Sequence, residues 1–410
     1  MLRDTFREGR HAAGSEPLLG VIATPVKTAS ERVNDAAAMV RAGVRWIQLD
    51  IPLSRINPRA GEFRWDYGDY QAGLRVFARA GVSPVLKFLG QADYLSQDPA
   101  GPHADWDKTL NLTPPRDRQQ WQGVVRRVVA QYAPYCRHWQ IGNEPDGGGY
   151  FRGSAEEYMQ YLEWTATAIR SVQPHAVILG GELFRGQMGL GSYGDVLSRL
   201  VRRPDLFDVL SIHYPLSRPQ DAGPVEDYRR AMQQASIRKP LWNTEQQASA
   251  SCEHAAPGTT THIRTEGAAR LSPLKAIGHC VALGIEKVFL FSWDYDDGGL
   301  AYRHDLRREC LVAAQALHGA VPLRRPDFGQ RDLTLYLFRK PDGTRTLAFW
   351  TEVKGVTARL VIQTSRAVRV VNHRGETQTL QPVQGSVRIT AEFCPKVATG
   401  LEVTAKVRLG

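Results

Sequence analysis

The chain has 410 residues and a formal net charge of +10; 42% of its residues are hydrophobic and 23% are charged. That balance is ordinary for a globular protein, and the length suits a large barrel plus an appendage. No run of about 18 apolar residues occurs, which excludes a transmembrane helix. No helix-turn-helix, finger or RNA-binding motif accompanies the positive charge, so nucleic acid is not an expected partner.

The excess charge is mostly arginine and is scattered in pairs: Arg126-Arg127, Arg202-Arg203, Arg229-Arg230, Arg307-Arg308 and Arg324-Arg325. Such pairs ordinarily lie on solvated helix faces; attraction to an anionic polysaccharide is the functional alternative. Residues 1–20 carry Arg3, Asp4, Arg7, Glu8, Arg10 and Glu16 and lack an apolar core, so they do not read as a signal peptide. The expectation is a cytoplasmic protein, or an exported one whose leader is absent from this sequence. The five cysteines (Cys136, Cys252, Cys280, Cys310 and Cys394) include no close pair. They predict no disulfide framework and no metal knuckle, and they favour small buried residues in a reducing compartment.

In chain order, β-rich apolar runs alternate with amphipathic stretches. Strands are expected over 18–23, 43–50, 84–89, 139–143, 177–180, 208–213, 240–245 and 287–293. Helices are expected over 29–42, 67–80, 117–132, 155–173, 193–201, 225–236 and 264–283, with a last one near 307–318. Eight strand–helix units over this length predict a parallel (β/α)₈ TIM barrel, in which function gathers at the C-terminal ends of the strands. After about Pro326 the pattern changes to short alternating runs: 333–338, 346–350, 357–362, 367–371, 387–389 and 401–407. Turn signals such as Pro341-Asp342-Gly343 and Arg374-Gly375 separate them. This predicts an all-β sandwich module. The expected organisation is an N-terminal extension (1–17), a barrel (18–325) and an accessory β-module (326–410).

Two strand ends carry glutamates. Trp139-Gln140-Ile141-Gly142-Asn143-Glu144-Pro145 runs an apolar strand into an Asn-Glu pair, and Pro240-Leu241-Trp242-Asn243-Thr244-Glu245 ends in a second carboxylate. A carboxylate at the exit of a buried strand is costly unless the site uses it. Two of them about three units apart suggest paired-carboxylate chemistry, of which glycoside hydrolysis, in its retaining form, is a common kind. That chemistry needs one protonated and one ionised carboxyl group about 5–5.5 Å apart.

With these motifs the chain resembles the clan A glycoside hydrolases over roughly residues 18–320. The stretches Ala42 to Ile47, Ile56-Asn57-Pro58, Gly61 to Asp66 and Tyr70 are most similar to family 39 and related retaining β-glycosidases. The resemblance implies Glu144 as acid/base and Glu245 as nucleophile. It implies Asn143 as a hydrogen bond to the sugar 2-hydroxyl, His213 as an orienting residue, and Trp293 as the floor of the sugar subsite. Tyr214, Gln48 and Lys87 join the substrate-binding candidates, and no cofactor or metal is implied. The chain departs from its relatives in having Gln48 where Arg is common and Leu53 where Trp is common. Pro215 stands where many relatives have a tyrosine that touches the nucleophile, and Tyr214 comes one residue earlier.

Each residue also has a plainer reading. Asn143-Glu144-Pro145 alone fits a helix entry, His213 a structural histidine, and Trp293 core packing. Asp294, Asp296 and Asp297 lack the full calcium-loop spacing and read as a solvated loop. Glu182 is a weaker third carboxylate. Tyr94, Trp106, Tyr150, Phe151 and Tyr295 fall in strand-to-helix loops, where aromatic rings stack on sugars or simply pack. The matched glutamates favour a retaining hydrolase of β-type bonds in an oligo- or polysaccharide. A transglycosylase and a non-catalytic polysaccharide-binding protein are the rivals. A metal-dependent barrel hydrolase is weaker, because no His-x-His occurs.

Overall fold

The computed structural model describes residues 16–146, 149–184, 193–215, 223–248, 250–253, 271–295, 299–324 and 332–410. Eight parallel strands close into a barrel: β1 (Leu19–Ile22), β2 (Trp46–Asp50), β3 (Ser83–Phe88), β4 (His138–Ile141), β5 (Val177–Leu183), β6 (Val209–His213), β7 (Leu241–Gln247) and β8 (Lys287–Phe291). Between and after them lie α1 (Ala29–Arg41), a short α2 (Leu53–Ile56), α3 (Tyr70–Arg79), α4 (Arg118–Tyr132), α5 (Ala155–Val172), α6 (Tyr193–Leu200), α7 (Gly223–Gln234), α8 (Pro273–Ala282) and α9 (His304–Leu317). The barrel is therefore the one expected from the alternating pattern.

Local chemistry starts the helices where the sequence signals them. Thr28 with Glu31, and Ser154 with Glu157, form reciprocal capping boxes at α1 and α5, and Asp117 caps α4 through the Gln120 amide. Each satisfies backbone donors that would otherwise lack a partner.

Because side chains alternate along a strand, every second residue faces the barrel interior. Trp46, Val85, Leu179, Val209, Trp242 and Phe289 pack together there as one apolar cluster. Two residues further along, the same inward rows become polar: Gln48 and Asp50 on β2, Lys87 on β3, Ser211 and His213 on β6. The apolar residues plug the barrel and the polar ones crown it. A larger core lies between strands and helices and includes Phe77, Trp121, Trp139, Tyr158 and Trp293.

A nine-stranded β-module follows. β9 (Val321–Arg324), β10 (Leu333–Arg339), β11 (Arg345–Thr351), β13 (Val368–Asn372), β14 (Thr377–Leu380) and β16 (Lys396–Leu401) form one sheet. β12 (Ala358–Gln363), β15 (Ser386–Ala391) and β17 (Lys406–Leu409) form the other. Leu335, Phe349, Leu360, Ile362, Val387 and Ile389 fill the space between them. The run expected as one strand over 401–407 is broken. Gly400 takes a left-handed backbone (φ 73°), and the Ala405 amide bonds back to the Glu402 carbonyl, so β16 and β17 belong to different sheets. The module seats against α8. Tyr336 pairs with His279 at 2.7 Å, and Trp350 packs edge-on against the same ring.

The cysteines correct the sequence-based expectation. Cys252, just after β7, is joined by a disulfide to Cys394, just before β16, with Cα atoms 5.2 Å apart. A separation of 142 residues hides such a pair from any spacing rule. Cys136, Cys280 and Cys310 are buried free thiols, as expected.

Candidate active site

Bulges at the C-terminal ends of β5 and β7, on either side of β6, aim side chains into one cleft. The extra residue is Glu182 on β5 against β6, and on β7 it is Thr244 against β6, where Ile212 and His213 face Asn243 and Glu245; a further shift on β7 falls between Asn243 and Gln246 against β8. An extra residue in a strand redirects the next side chain. Glu144, Glu182 and Tyr214 adopt left-handed backbones (φ 41°, 49° and 44°), unusual for residues with a Cβ. Backbone hydrogen bonds hold two of them: the Glu144 amide donates to the Glu182 carbonyl at 3.1 Å, and the Tyr214 amide to the Glu245 carbonyl at 2.8 Å. Strain of this kind persists where the surroundings enforce it, commonly at functional sites.

Glu144 and Glu245 meet around one imidazole. His213 Nδ1 lies 3.0 Å from Glu144 Oε1 and 3.6 Å from Glu245 Oε2. Both carboxylates retain a little exposure, 7% and 9%, while His213 is buried. Burial raises the Glu144 pKa to about 8, with the nearby Asp146 charge adding to it and Lys87 opposing it. Burial also raises the pKa of Glu245, with the Glu144 charge adding to it and Lys87 and the Tyr214 hydroxyl opposing it. Tyr214 OH donates to Glu245 Oε1. Burial lowers the pKa of His213 to about 4, so its imidazole is neutral near pH 7.

Lys87 supplies the cation beneath these groups. Its Nζ lies 2.9 Å from Asp50 Oδ1 and donates to Asn143 Oδ1 at 2.9 Å. An ammonium only donates, so the Asn143 carbonyl faces Lys87 and the amide nitrogen is turned the other way. The Asp50 and nearby carboxylate charges offset the desolvation of Lys87 and keep it protonated.

Six of the sequence-predicted residues thus come together: Glu144, Glu245, Asn143, His213, Tyr214 and Lys87. Two do not. Trp293 is 0% exposed and donates Nε1 to Asp35 on α1 at 2.9 Å, so no sugar can reach its ring. The strand ends at Phe291, and the chain turns outward before Trp293. The inward-facing aromatic is Phe291, stacked on Tyr295 with centroids 5.3 Å apart. The inward series Lys287, Phe289, Phe291 carried that signal. Gln48 is also fully buried, one inward step below Asp50, and does not line the cleft. Asp50 was missed, although the inward row Trp46, Gln48, Asp50 pointed to it.

Asp294 is not a solvated loop residue. It accepts from the Thr24 amide at 2.8 Å and pairs with Lys27 at 2.6 Å, tying the β8 and β1 loops together. Asp296 and Asp297 lie outside the described residues, as do His254 and Thr259 to Thr261. Glu182 is wholly buried and accepts from Ser211 Oγ at 2.7 Å; burial raises its pKa strongly. It braces the Glu144 turn from below.

Among the described residues, two clusters have the donor types of a metal site: Glu144, His213 and Glu245, and Cys252, His373 and Cys394. In the second, the disulfide removes the thiolates that a metal would need. In the first, a metal would compete with the Glu144–His213 hydrogen bond.

Comparison with solved structures places this architecture. A family 39 glycoside hydrolase from the gut symbiont Bacteroides cellulosilyticus WH2 superposes with a TM-score of 0.66 at 14% identity, covering 93% of this chain and 80% of that one. A GH30 endoxylanase from Clostridium papyrosolvens C71 gives 0.66 at 12% identity, covering 94% and 96%. The chain has the fold of the clan A glycoside hydrolases. A GH39 enzyme from Xanthomonas axonopodis pv. citri, at TM-score 0.56 and 13% identity, covers 96% of each chain, so the likeness to the clan A fold includes the β-module. In sequence, a β-xylosidase from Geobacillus stearothermophilus is 30% identical over 84 residues, which are 18% of this chain and 17% of that protein. The chain thus matches less than a fifth of that relative's length. No family model matches the chain.

Proposed function

We propose that the protein is a retaining glycoside hydrolase that cleaves β-type bonds in an oligo- or polysaccharide. The observation that carries this reading is the convergence of Glu144 and Glu245 on His213, with donor atoms of all three within 4.8 Å of one another. That proximity suits direct attack by one carboxylate, because it leaves no room for an intervening water. The clan A fold, seen in structures described as xylosidase and xylanase, supports the same chemistry.

Glu144 is the acid, since its raised pKa keeps it protonated at neutral pH. Glu245 is the nucleophile, since the Lys87 charge and the Tyr214 hydroxyl favour its ionised form. In the first step Glu245 attacks the anomeric carbon while Glu144 gives its proton to the glycosidic oxygen. The leaving sugar departs as an alcohol, and a glycosyl ester remains on Glu245. In the second step the Glu144 carboxylate takes a proton from water. The resulting hydroxide attacks the anomeric carbon, and the Glu245 carboxylate is released. Asn143, its carbonyl held by Lys87, is left with Nδ2 to donate to the sugar 2-hydroxyl. Neutral His213 orients Glu144 without adding a charge.

Incubation with a panel of activated 2-deoxy-2-fluoro β-glycosides, followed by intact and peptide mass spectrometry, tests the proposal. A single adduct on Glu245 is expected, and the reactive sugar names the substrate class. Turnover of natural glycans with no adduct on Glu245 would overturn the nucleophile assignment.

A further inference from the structure

The cleft has a second aromatic wall that the catalytic steps do not use. Trp106, between β3 and α4, and Tyr150, between β4 and α5, lie with ring centroids 5.2 Å apart and planes tilted by 47°. Trp106 is 57% exposed, among the most exposed large side chains of the described residues. It is also braced. Asp107 accepts from Arg55 at 2.9 Å and from the Thr109 amide at 2.9 Å, and the Ala104 amide donates to the Leu110 carbonyl at 2.9 Å. Behind Tyr150 sits a small apolar cluster of Leu89, Ala104, Leu110 and Leu112. The Arg152 amide donates to the Leu112 carbonyl at 2.8 Å and stitches the two loops together. A rigidly held, exposed indole is a preorganised surface, and the CH face of a sugar ring is its natural complement.

We infer that Trp106 and Tyr150 form the platform for the leaving-group part of a neutral glycan, an inference that rests on the hydrolase reading above. The side follows from Glu144. Its proton goes to the leaving oxygen, so the departing sugar lies against the residues that follow Glu144 in the chain, and Tyr150 is on that same loop. Both loops leave the C-terminal ends of neighbouring strands, β3 and β4, at the end of the barrel that carries Glu144. Phe291 and Tyr295 form the opposite wall. Neutrality follows from charge. Asp105 and Asp107 flank Trp106, and Asp50 lies deeper in the cleft. The cations nearest these carboxylates are engaged with them: Arg55 with Asp107, Lys108 with Asp105, Lys87 with Asp50, and Lys27 with Asp294 and Asp35. A uronic acid here would meet carboxylates.

The test compares Trp106→Ala with the wild type on two substrates of the reactive sugar: its β-linked oligosaccharide and its glycosyl fluoride, which has no leaving sugar. The oligosaccharide kcat/KM is expected to fall about tenfold or more, the loss of one good contact, with the fluoride unchanged. A second readout uses the fluorosugar adduct on Glu245. Added neutral oligosaccharide should speed its release in the wild type and not in the variant. Equal losses on both substrates, or none on either, would overturn the platform while leaving the hydrolase reading intact. A wild type that prefers uronic-acid oligosaccharides would overturn neutrality. Absence of both turnover and adduct would instead remove the hydrolase reading, and this inference with it.

Discussion

Tyr214 reaches Glu245 because its backbone is left-handed. At φ 44° the residue directly after β6 turns back across the bulge and donates its hydroxyl to the nucleophile candidate. The sequence spacing, one residue short of the usual pattern, is thus compensated by conformation. A hydrogen bond to a charged group contributes about 1.5–3 kcal/mol. Tyr214→Phe should therefore lower kcat/KM on an activated aryl glycoside by about 10- to 100-fold, with an unchanged far-UV circular dichroism spectrum. An unchanged rate would mean that the contact has no catalytic role.

The pH profile should be bell-shaped. Glu144 must be protonated to act as the acid, so kcat/KM should fall as pH rises through about 8, the pKa to which burial raises it. Glu245 must be ionised, so the acidic limb should lie above the ordinary glutamate range, because burial raises its pKa as well. Glu144→Gln should abolish the alkaline limb. It should cost about 10²- to 10⁴-fold on substrates with poor leaving groups and far less on activated ones. Retention of the alkaline limb in that variant would assign it to another group.

Lys87 and Asp50 hold each other at the floor of the cleft. Breaking a buried pair by removing one partner costs about 3–5 kcal/mol; Asp50 keeps some solvent, so the low end applies. Lys87→Met should lower the midpoint of chemical unfolding, and adding Asp50→Asn should recover part of the loss. A double variant no more stable than Lys87→Met would show that the pair is not coupled.

The disulfide should be visible in solution. Non-reducing mass spectrometry should find Cys252 linked to Cys394, and thiol labelling of the unfolded protein should count three free cysteines. Losing a native disulfide typically costs about 2–5 kcal/mol, so Cys252→Ser or added reductant should lower Tm. The same segment is held by a second tie, since Glu253 accepts from His373 at 2.8 Å. Tm unchanged by reductant would show that the noncovalent tie suffices.

The sequence by itself determined the barrel, the β-module and the glutamate pair. Those follow from short-range rules: alternation of strand and helix periodicities, capping residues such as Thr28 and Ser154, and the placement of function at strand ends. It also offered the inward rows on which Lys87 lies and which could have led to Asp50 and Phe291. Only the tertiary structure decided where the strands stop and bulge. One residue more or less rotates a side chain to the opposite face, which is why Trp293 left the cleft and Tyr214 entered it; Gln48 stays on the inward row but one step too deep. It alone also decided the Cys252–Cys394 pairing and the meeting of Trp106 with Tyr150. These join residues far apart in the chain, and their proximity is set by loop packing rather than by any local pattern.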